Sequence, residues 1–313
     1  MTFDDLVRRG FKPMEPVPRQ VPFDSPDHLY QVKWDGVRMV AFVRGGFVRL
    51  QNRRLRDRTS QYPELSLLPS LLRVEEAILD GEVVVIRDQR PSFSGIIRRD
   101  SATDPRSVSL LQRRLPATYM VFDLLWFEGR DITAAPLTER ISVLGGVLEV
   151  HEPVLLVDSF DSGLTLFEAV KARGWEGIVA KTRAGPYLPG RRSDHWVKIK
   201  VTRRGEFVIG GVSLSGARIT SLKLGAYDEA GRLVYVGSAG SGLSWDMANS
   251  LKEELTPVNE SPFINPVGLE SGHWVQPERT VLVRFFEWTE DLKLRGPVIE
   301  GLGNRDLAEC LLP

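Results

Sequence analysis

A single cysteine, Cys310, stands among 313 residues, so no disulfide can form within the chain and a cysteine-rich zinc site is excluded. Histidine is scarce too: His28, His151, His195 and His273 are scattered without metal-ligand spacing. Any bound metal is therefore expected to be a hard cation held by carboxylate, phosphate and water. No apolar run approaches the roughly 18 residues that suggest a membrane span. The N-terminus, Met1-Thr2-Phe3-Asp4-Asp5, carries early acids where a secretory signal has an apolar stretch, so a cytoplasmic location is the expectation. Net charge is also missing, because 41 Lys and Arg balance 41 Asp and Glu.

That balance conceals a strong local asymmetry. Between Lys181 and Arg204 lie Lys181, Arg183, Arg191, Arg192, Lys198, Lys200, Arg203 and Arg204, with Asp194 the only acid. Arg53, Arg54, Arg56 and Arg58 form a second cluster, and Arg98, Arg99, Arg106, Arg113 and Arg114 a third. One such cluster reads as a solvated surface. Three of them beside candidate catalytic segments point to phosphate contact. The remaining composition, 42% apolar and 26% charged, is that of an ordinary globular protein long enough for about two domains.

The first 30 residues read as irregular, because Pro13, Pro16, Pro18, Pro22 and Pro26 exclude a helix. Strand patterns follow at 30–34, 37–43 and 47–51, with Gly45-Gly46 as a hairpin turn, then at 77–86, 119–126, 178–181 and 196–200. Helical spacing covers 63–72, 137–149 and 164–173, the last capped by Ser162. Composition shifts near Val201–Gly205, which divides the chain into 1–202 and 203–313. The second part reads as strands at 206–213, 221–227, 233–238 and 281–288 around one helix, capped by Ser244 and stopped at Thr256-Pro257. This pattern fits a small Greek-key barrel among several all-β arrangements.

Five charged segments occur in order: Lys33-Trp34-Asp35-Gly36-Val37-Arg38, Asp80-Gly81-Glu82, Phe122-Asp123, Glu176-Gly177-Ile178-Val179-Ala180-Lys181 and Trp196-Val197-Lys198-Ile199-Lys200. Together they supply an amine nucleophile, carboxylates, an aromatic platform and cations suited to phosphate. An amine attacking phosphorus must be unprotonated, yet an ordinary lysine, with a pKa of about 10.4, is neutral only about once in a thousand near pH 7.5. Overcoming that handicap takes about 4 kcal/mol of differential interaction, which neighbouring cations and a metal can provide. Strand alternation places Lys198 and Lys200 on one face.

This ordered set resembles the covalent nucleotidyltransferases, and most closely the ligase domain of bacterial end-joining ATP-dependent DNA ligases, over nearly the whole chain. Tyr187-x-Pro189-Gly190-Arg191-Arg192-Ser193-x-x-Trp196 extends the likeness. The resemblance implies an α+β fold, with an adenylation domain of antiparallel sheets and helices followed by an OB-type barrel. It implies that Lys33 captures AMP from ATP with magnesium or manganese, Asp35 and Glu176 being the metal ligands. Gln31, Val32, Arg38, Arg53, Glu82, Phe122, Lys181, Lys198 and Lys200 would hold the nucleotide, Glu82 taking a ribose hydroxyl and Phe122 stacking on adenine. Arg54, Arg56, Arg98, Arg99, Arg191, Arg192 and Arg203 would meet DNA. The implied partners are nicked duplex DNA, a Ku-like end-binding protein or a repair polymerase, with no membrane and a monomeric state.

Two departures stand out. Relatives commonly carry glutamate where Gln31 stands, so adenine selection here would rely on an uncharged acceptor. The family's last motif begins well at Phe286-Glu287-Trp288, but its ending reads Gly301-Leu302-Gly303-Asn304-Arg305-Asp306. Lys293, Arg295 and Arg305 are the candidates to orient pyrophosphate in its place. The rival readings are an RNA ligase or capping-type guanylyltransferase on the same core, and a non-catalytic DNA-binding module.

Overall fold

The computed structural model describes residues 2–265 and 273–313. The chain forms two compact units, Met1–Val201 and Thr202–Pro313.

The N-terminus differs from the irregular segment expected. Helix α1 (Phe3–Arg9) forms ahead of the first proline, closed by a reciprocal capping box between Thr2 and Asp5 and anchored by buried Phe3 and Leu6. The prolines act only beyond it. Pro16 and Pro18 sit in a strand, Glu15–Arg19, at the edge of a sheet, where a missing N–H is tolerated.

Two sheets build the first unit. The smaller runs Glu15–Arg19, Arg192–Lys200, Gly177–Thr182, His28–Val32 in spatial order; its first pair is parallel and the others antiparallel. The larger has Phe47–Asn52, Val37–Arg44, Glu76–Arg87 and Ala117–Phe127 side by side, all antiparallel. Both faces of the larger sheet are covered. Met39, Ala41, Val43, Leu79, Val83 and Val85 pack on one side with Tyr62, Leu65 and Leu68, while Val40, Phe42 and Ile78 meet α1 and Trp196 on the other. The smaller sheet turns Tyr30, Ile178, Ala180, Val197 and Ile199 onto Leu166 and Val170 of a helix, Gly163–Ala172. Each fully buried aliphatic side chain there contributes about 2–3 kcal/mol.

Ser162 caps that helix as its spacing indicated, and the 63–72 segment forms a 3-10 helix, Pro63–Leu71. Two further helices were not anticipated. Phe93–Ser101 is capped by Ser92, and Pro105–Arg114 by Asp104, with proline at its first turn. The third arginine cluster lies on this helical pair.

The second unit is a seven-stranded antiparallel sheet. Its organising element is the long strand Arg203–Ser215. Arg218–Tyr227 pairs along one edge of it, and Thr280–Phe285 and His273–Val275 along the other. The one α-helix among its described residues, Trp245–Glu254, is capped by Ser244 and buries Ala248 and Leu251 in the core. The α+β class and OB-type second domain are as the resemblance implied. No helix among the described residues is long and apolar enough to cross a membrane.

Candidate active site

The Lys33 segment is the crossover between the two sheets of the first unit. The Lys33 N–H donates to the Gly177 carbonyl at 2.9 Å, extending the smaller sheet beyond Val32, and Val37 already pairs with Val83 in the larger one. Gly36 makes this passage sterically feasible: a β-carbon there would lie 2.2 Å from the Val83 carbonyl oxygen.

Side-chain alternation then assembles the walls. Tyr30, Ile178, Ala180, Val197 and Ile199 are committed to the helix behind the smaller sheet, so Gln31, Val179, Lys181, Trp196 and Lys198 face the other way, into a cleft of ≈ 560 Å³. The larger sheet lines it with Arg38, Glu82 and Phe122; Val32, Lys33 and Trp34 also border it. Arg53, Arg54, Arg56 and Arg58 add a basic margin.

The Lys33 ammonium is 2.5 Å from Glu176 Oε2, and the other Glu176 oxygen is 2.7 Å from Lys200 Nζ. The Glu176 side chain is only 8% exposed, while Lys33 and Lys200 are half-buried and keep access to water. The anticipated environment of Lys33 was cationic. Its bonded neighbour is instead a carboxylate, which neutralises the charge that Lys200 brings. Lys198 lies beyond, held below the usual lysine range by burial and then by Lys200 and Lys33, against the pull of Glu15.

Glu82 and Lys181 are both displaced into the neutral range. Burial pushes the Glu82 carboxyl up to about 7, although Lys33 and Arg38 pull the other way. Burial likewise brings the Lys181 ammonium down to about 7 against the attraction of Asp123, with Arg38 adding to the fall. Lys181 Nζ has no hydrogen-bond partner and rests 4.2 Å from the Phe122 ring centroid and 4.1 Å from that of Trp196. Phe122 thus lines the cleft as part of an aromatic corner, its ring edge-on to Trp196 at 5.8 Å.

Arg38 is held by two bonds of 2.5 Å to Asp80, whose Oδ2 also accepts from the Tyr187 hydroxyl at 2.6 Å. Burial opposes the Arg38 charge, but Asp80 more than offsets it. A second buried fork joins Arg140 to Asp123 at 2.8 Å, so the acid of Phe122-Asp123 braces the fold while its neighbour borders the cleft. Gln31 is buried and donates its amide to Ser159 Oγ at 3.1 Å.

The other expected residues divide. Asp35 is half-buried within the crossover. Arg54, Arg56, Arg98, Arg191, Arg192 and Arg203 are exposed. Arg99 is not available to DNA. It is 1% exposed and bound to both Glu64 oxygens and to the Gln61 and Val108 carbonyls, because its helix turns that side inward. In the second unit Lys293 donates to the Tyr235 carbonyl, Arg295 pairs with Glu287 at 2.7 Å, and Arg305 is exposed. No group of three or more potential metal-ligating side chains occurs among the described residues.

Sequence reading missed the cleft's outer border, formed by Met14, Glu15, Pro16, Phe93 and Ile97. It also missed Ser159 behind Gln31 and Asp80 behind Arg38. The cap signals at Ser92 and Asp104-Pro105 could have revealed the helices; nothing local marked the buried supports.

Comparison with known proteins bears on this geometry. Residues 16–200 match the model described as ATP dependent DNA ligase domain, and residues 215–305 the ATP dependent DNA ligase C terminal region. The multifunctional non-homologous end joining DNA repair protein LigD of Mycobacterium tuberculosis is 34% identical over 286 residues, covering 87% of this chain and 36% of that protein. Its Pseudomonas aeruginosa counterpart is 33% identical over 289 residues, covering 87% and 33%. The chain therefore spans about a third of the length of these curated relatives. A solved mycobacterial DNA ligase D complexed with ATP and MES aligns over 97% of this chain and 98% of that one, at 30% identity and a TM-score of 0.56. The chain belongs to the ATP-dependent DNA ligase family.

Proposed function

We propose that this chain is an ATP-dependent DNA ligase that seals nicks between a 5′-phosphate and a 3′-hydroxyl through a lysyl-AMP intermediate. The observation that carries the reading is the ion-paired chain from Lys33 through buried Glu176 to Lys200, set beside Glu82, Phe122 and Lys198 in a member of this family. In this reading residues 1–202 are the adenylation domain and 203–313 the OB-fold domain.

Lys33 loses a proton and its nitrogen bonds to the ATP α-phosphorus as the bond to the β-bridging oxygen breaks and pyrophosphate leaves. AMP then passes to the 5′-phosphate, and the 3′-hydroxyl displaces it. Attack requires the Lys33 ammonium to give up a proton, and Glu176 Oε2, which already accepts a hydrogen bond from it, is placed to take it. Lys198 and Lys200 face the same side and suit the phosphate oxygens; Glu82 accepts the ribose hydroxyl and Phe122 packs on adenine. The Gln31 amide, with its nitrogen directed at Ser159, offers its oxygen to the adenine amino group. Positioning and charge neutralisation make up most of the catalysis.

The cleft's acids fit a hard divalent cation. Carboxylates such as Glu176, with phosphate oxygens and water, form the hard donor set that magnesium and manganese prefer. Magnesium or manganese held by Glu176 and Asp35, with phosphate oxygens and water completing its shell, would neutralise charge on the triphosphate. The biological setting in this reading is bacterial end joining or repair, on nicked duplex DNA, beside an end-binding protein or polymerase.

The test is incubation with α-labelled ATP or GTP, followed by a nicked duplex chase. Label from ATP that Lys33→Ala abolishes, and that the nick discharges, is the expected result. Label from GTP alone would establish a guanylyltransferase, and DNA binding without label a non-catalytic module.

A further inference from the structure

Gln31 is a buried amide on the cleft wall, 2% exposed on the strand His28–Val32. It stands opposite Val179 in the register, and the Phe122 ring packs in the same cluster as Val179. Its only side-chain hydrogen bond among the described residues runs from Nε2 to Ser159 Oγ at 3.1 Å, which leaves Oε1 to the cleft. Backbone pairing on either side holds Ser159 in that place. The Val157 N–H donates to the Val121 carbonyl, and Phe160 exchanges two bonds of 2.8 Å with Tyr30, the neighbour of Gln31. Ser159 is itself exposed, so its hydroxyl can rotate.

Both side chains can donate and accept. A carboxamide has an acceptor at one end and two donors at the other, and a hydroxyl serves in either role. A half-turn of the Gln31 amide brings Nε2 to the cleft while Oε1 accepts from the Ser159 hydroxyl, so the bond between the two survives the turn. A carboxylate in that place could only accept. The distinction matters because purines differ on this edge: adenine shows an amino donor where guanine and hypoxanthine show a keto acceptor. Lys181, the other buried polar side chain on this wall, has no hydrogen-bond partner to fix its role. With its ammonium brought down to about 7, it donates when protonated and accepts when neutral.

We propose that the Gln31–Ser159 pair makes nucleobase choice permissive, so that the site also takes 6-oxopurine triphosphates, Gln31 turning its amide to donate to the keto oxygen. The chemistry is unchanged. Lys33 loses its proton and bonds to the α-phosphorus as the bond to the β-bridging oxygen breaks, leaving IMP on the lysine and releasing pyrophosphate, with no further reactant. Ser159 is a positioning residue, acting on the base through Gln31. The proposal deepens the ligase reading and rests on it for the place of the base beside Phe122.

The test incubates the full chain with α-labelled ATP and, separately, α-labelled ITP, and compares the rates at which Lys33 is labelled. Wild type should take label from ITP within about 100-fold of ATP, whereas a site built only to accept from the base would reject ITP by a factor of about 10⁴. Gln31→Glu presents an acceptor only, and Ser159→Asp holds Nε2 away from the cleft. Each should lower the ITP-to-ATP ratio by about tenfold or more, the worth of one hydrogen bond to a charged group. Ser159→Thr, which keeps the hydroxyl, should keep the wild-type ratio. A wild-type ratio below the 100-fold bound, or one that neither acidic variant lowers, would overturn the proposal while ATP labelling leaves the ligase reading standing. Absence of label from both nucleotides would remove that reading, and the proposal with it.

Discussion

Lys33 and Glu176 are 143 residues apart in the sequence and 2.5 Å apart in the fold. The other oxygen of Glu176 pairs with Lys200, so one carboxylate bridges two amines. Removing it changes the nucleophile and the phosphate site together.

Glu176→Gln is accordingly expected to lower the rate of ATP labelling of Lys33 by about 10–100-fold, the usual scale for loss of a metal-site partner. The melting temperature should stay nearly constant, because both lysines retain access to water. Labelling at fixed ATP across a magnesium series checks this; an unchanged rate would remove Glu176 from the chemistry.

Lys181→Met should stabilise the free protein in a pH-dependent way. Because the folded-state pKa is lowered to about 7, the folded form binds its proton less readily than the unfolded chain. The resulting penalty is full below pH 7 and fades between pH 7 and the ordinary lysine value. The variant's gain, roughly 2–4 kcal/mol at pH 6, should therefore shrink at pH 9. Melting curves at the two pH values decide it, and a gain growing with pH would contradict the burial argument.

Asp80→Asn breaks the fork to Arg38 and the bond from Tyr187, in a site where the Asp80 side chain is wholly buried. Leaving an uncompensated guanidinium costs about 3–5 kcal/mol. A fall in melting temperature of roughly 10 °C is expected, measurable by calorimetry on the full chain. Nucleotide binding should fall with it, since Arg38 lines the cleft.

Arg98 and Arg99 are sequence neighbours with opposite roles. Arg98→Ala should weaken duplex binding and reduce its salt dependence by about one phosphate contact, with stability unchanged. Arg99→Ala should cost stability, since Glu64 loses its partner, with no effect on the salt slope. Titrations at several salt concentrations, paired with melting curves, separate the two; a salt-slope change in Arg99→Ala would refute its structural role.

The motif segments were legible because their chemistry is local: a nucleophile, its following glycine and the alternating lysines are contiguous in the chain. Alternation correctly sent Lys198 and Lys200 to one face, since period two follows from strand geometry. The helix Phe3–Arg9 is hidden by the proline-rich stretch that follows it, because a proline restricts only its own position and the turn before it. Arg99 was grouped with its neighbours because a cluster of like charges carries no sign of which member its helix turns inward.

By itself the sequence determined the family, the order of catalytic segments and the exclusion of a cysteine-rich zinc site, all set by residue type and spacing along the chain. Only the tertiary structure decided that Glu176 bridges Lys33 and Lys200, that Asp80 and Tyr187 clamp Arg38, and that Glu15 spans two arginines. Those pairings join strands of different sheets or distant loops, and their partners are chosen by how the sheets stack and which faces they must bury.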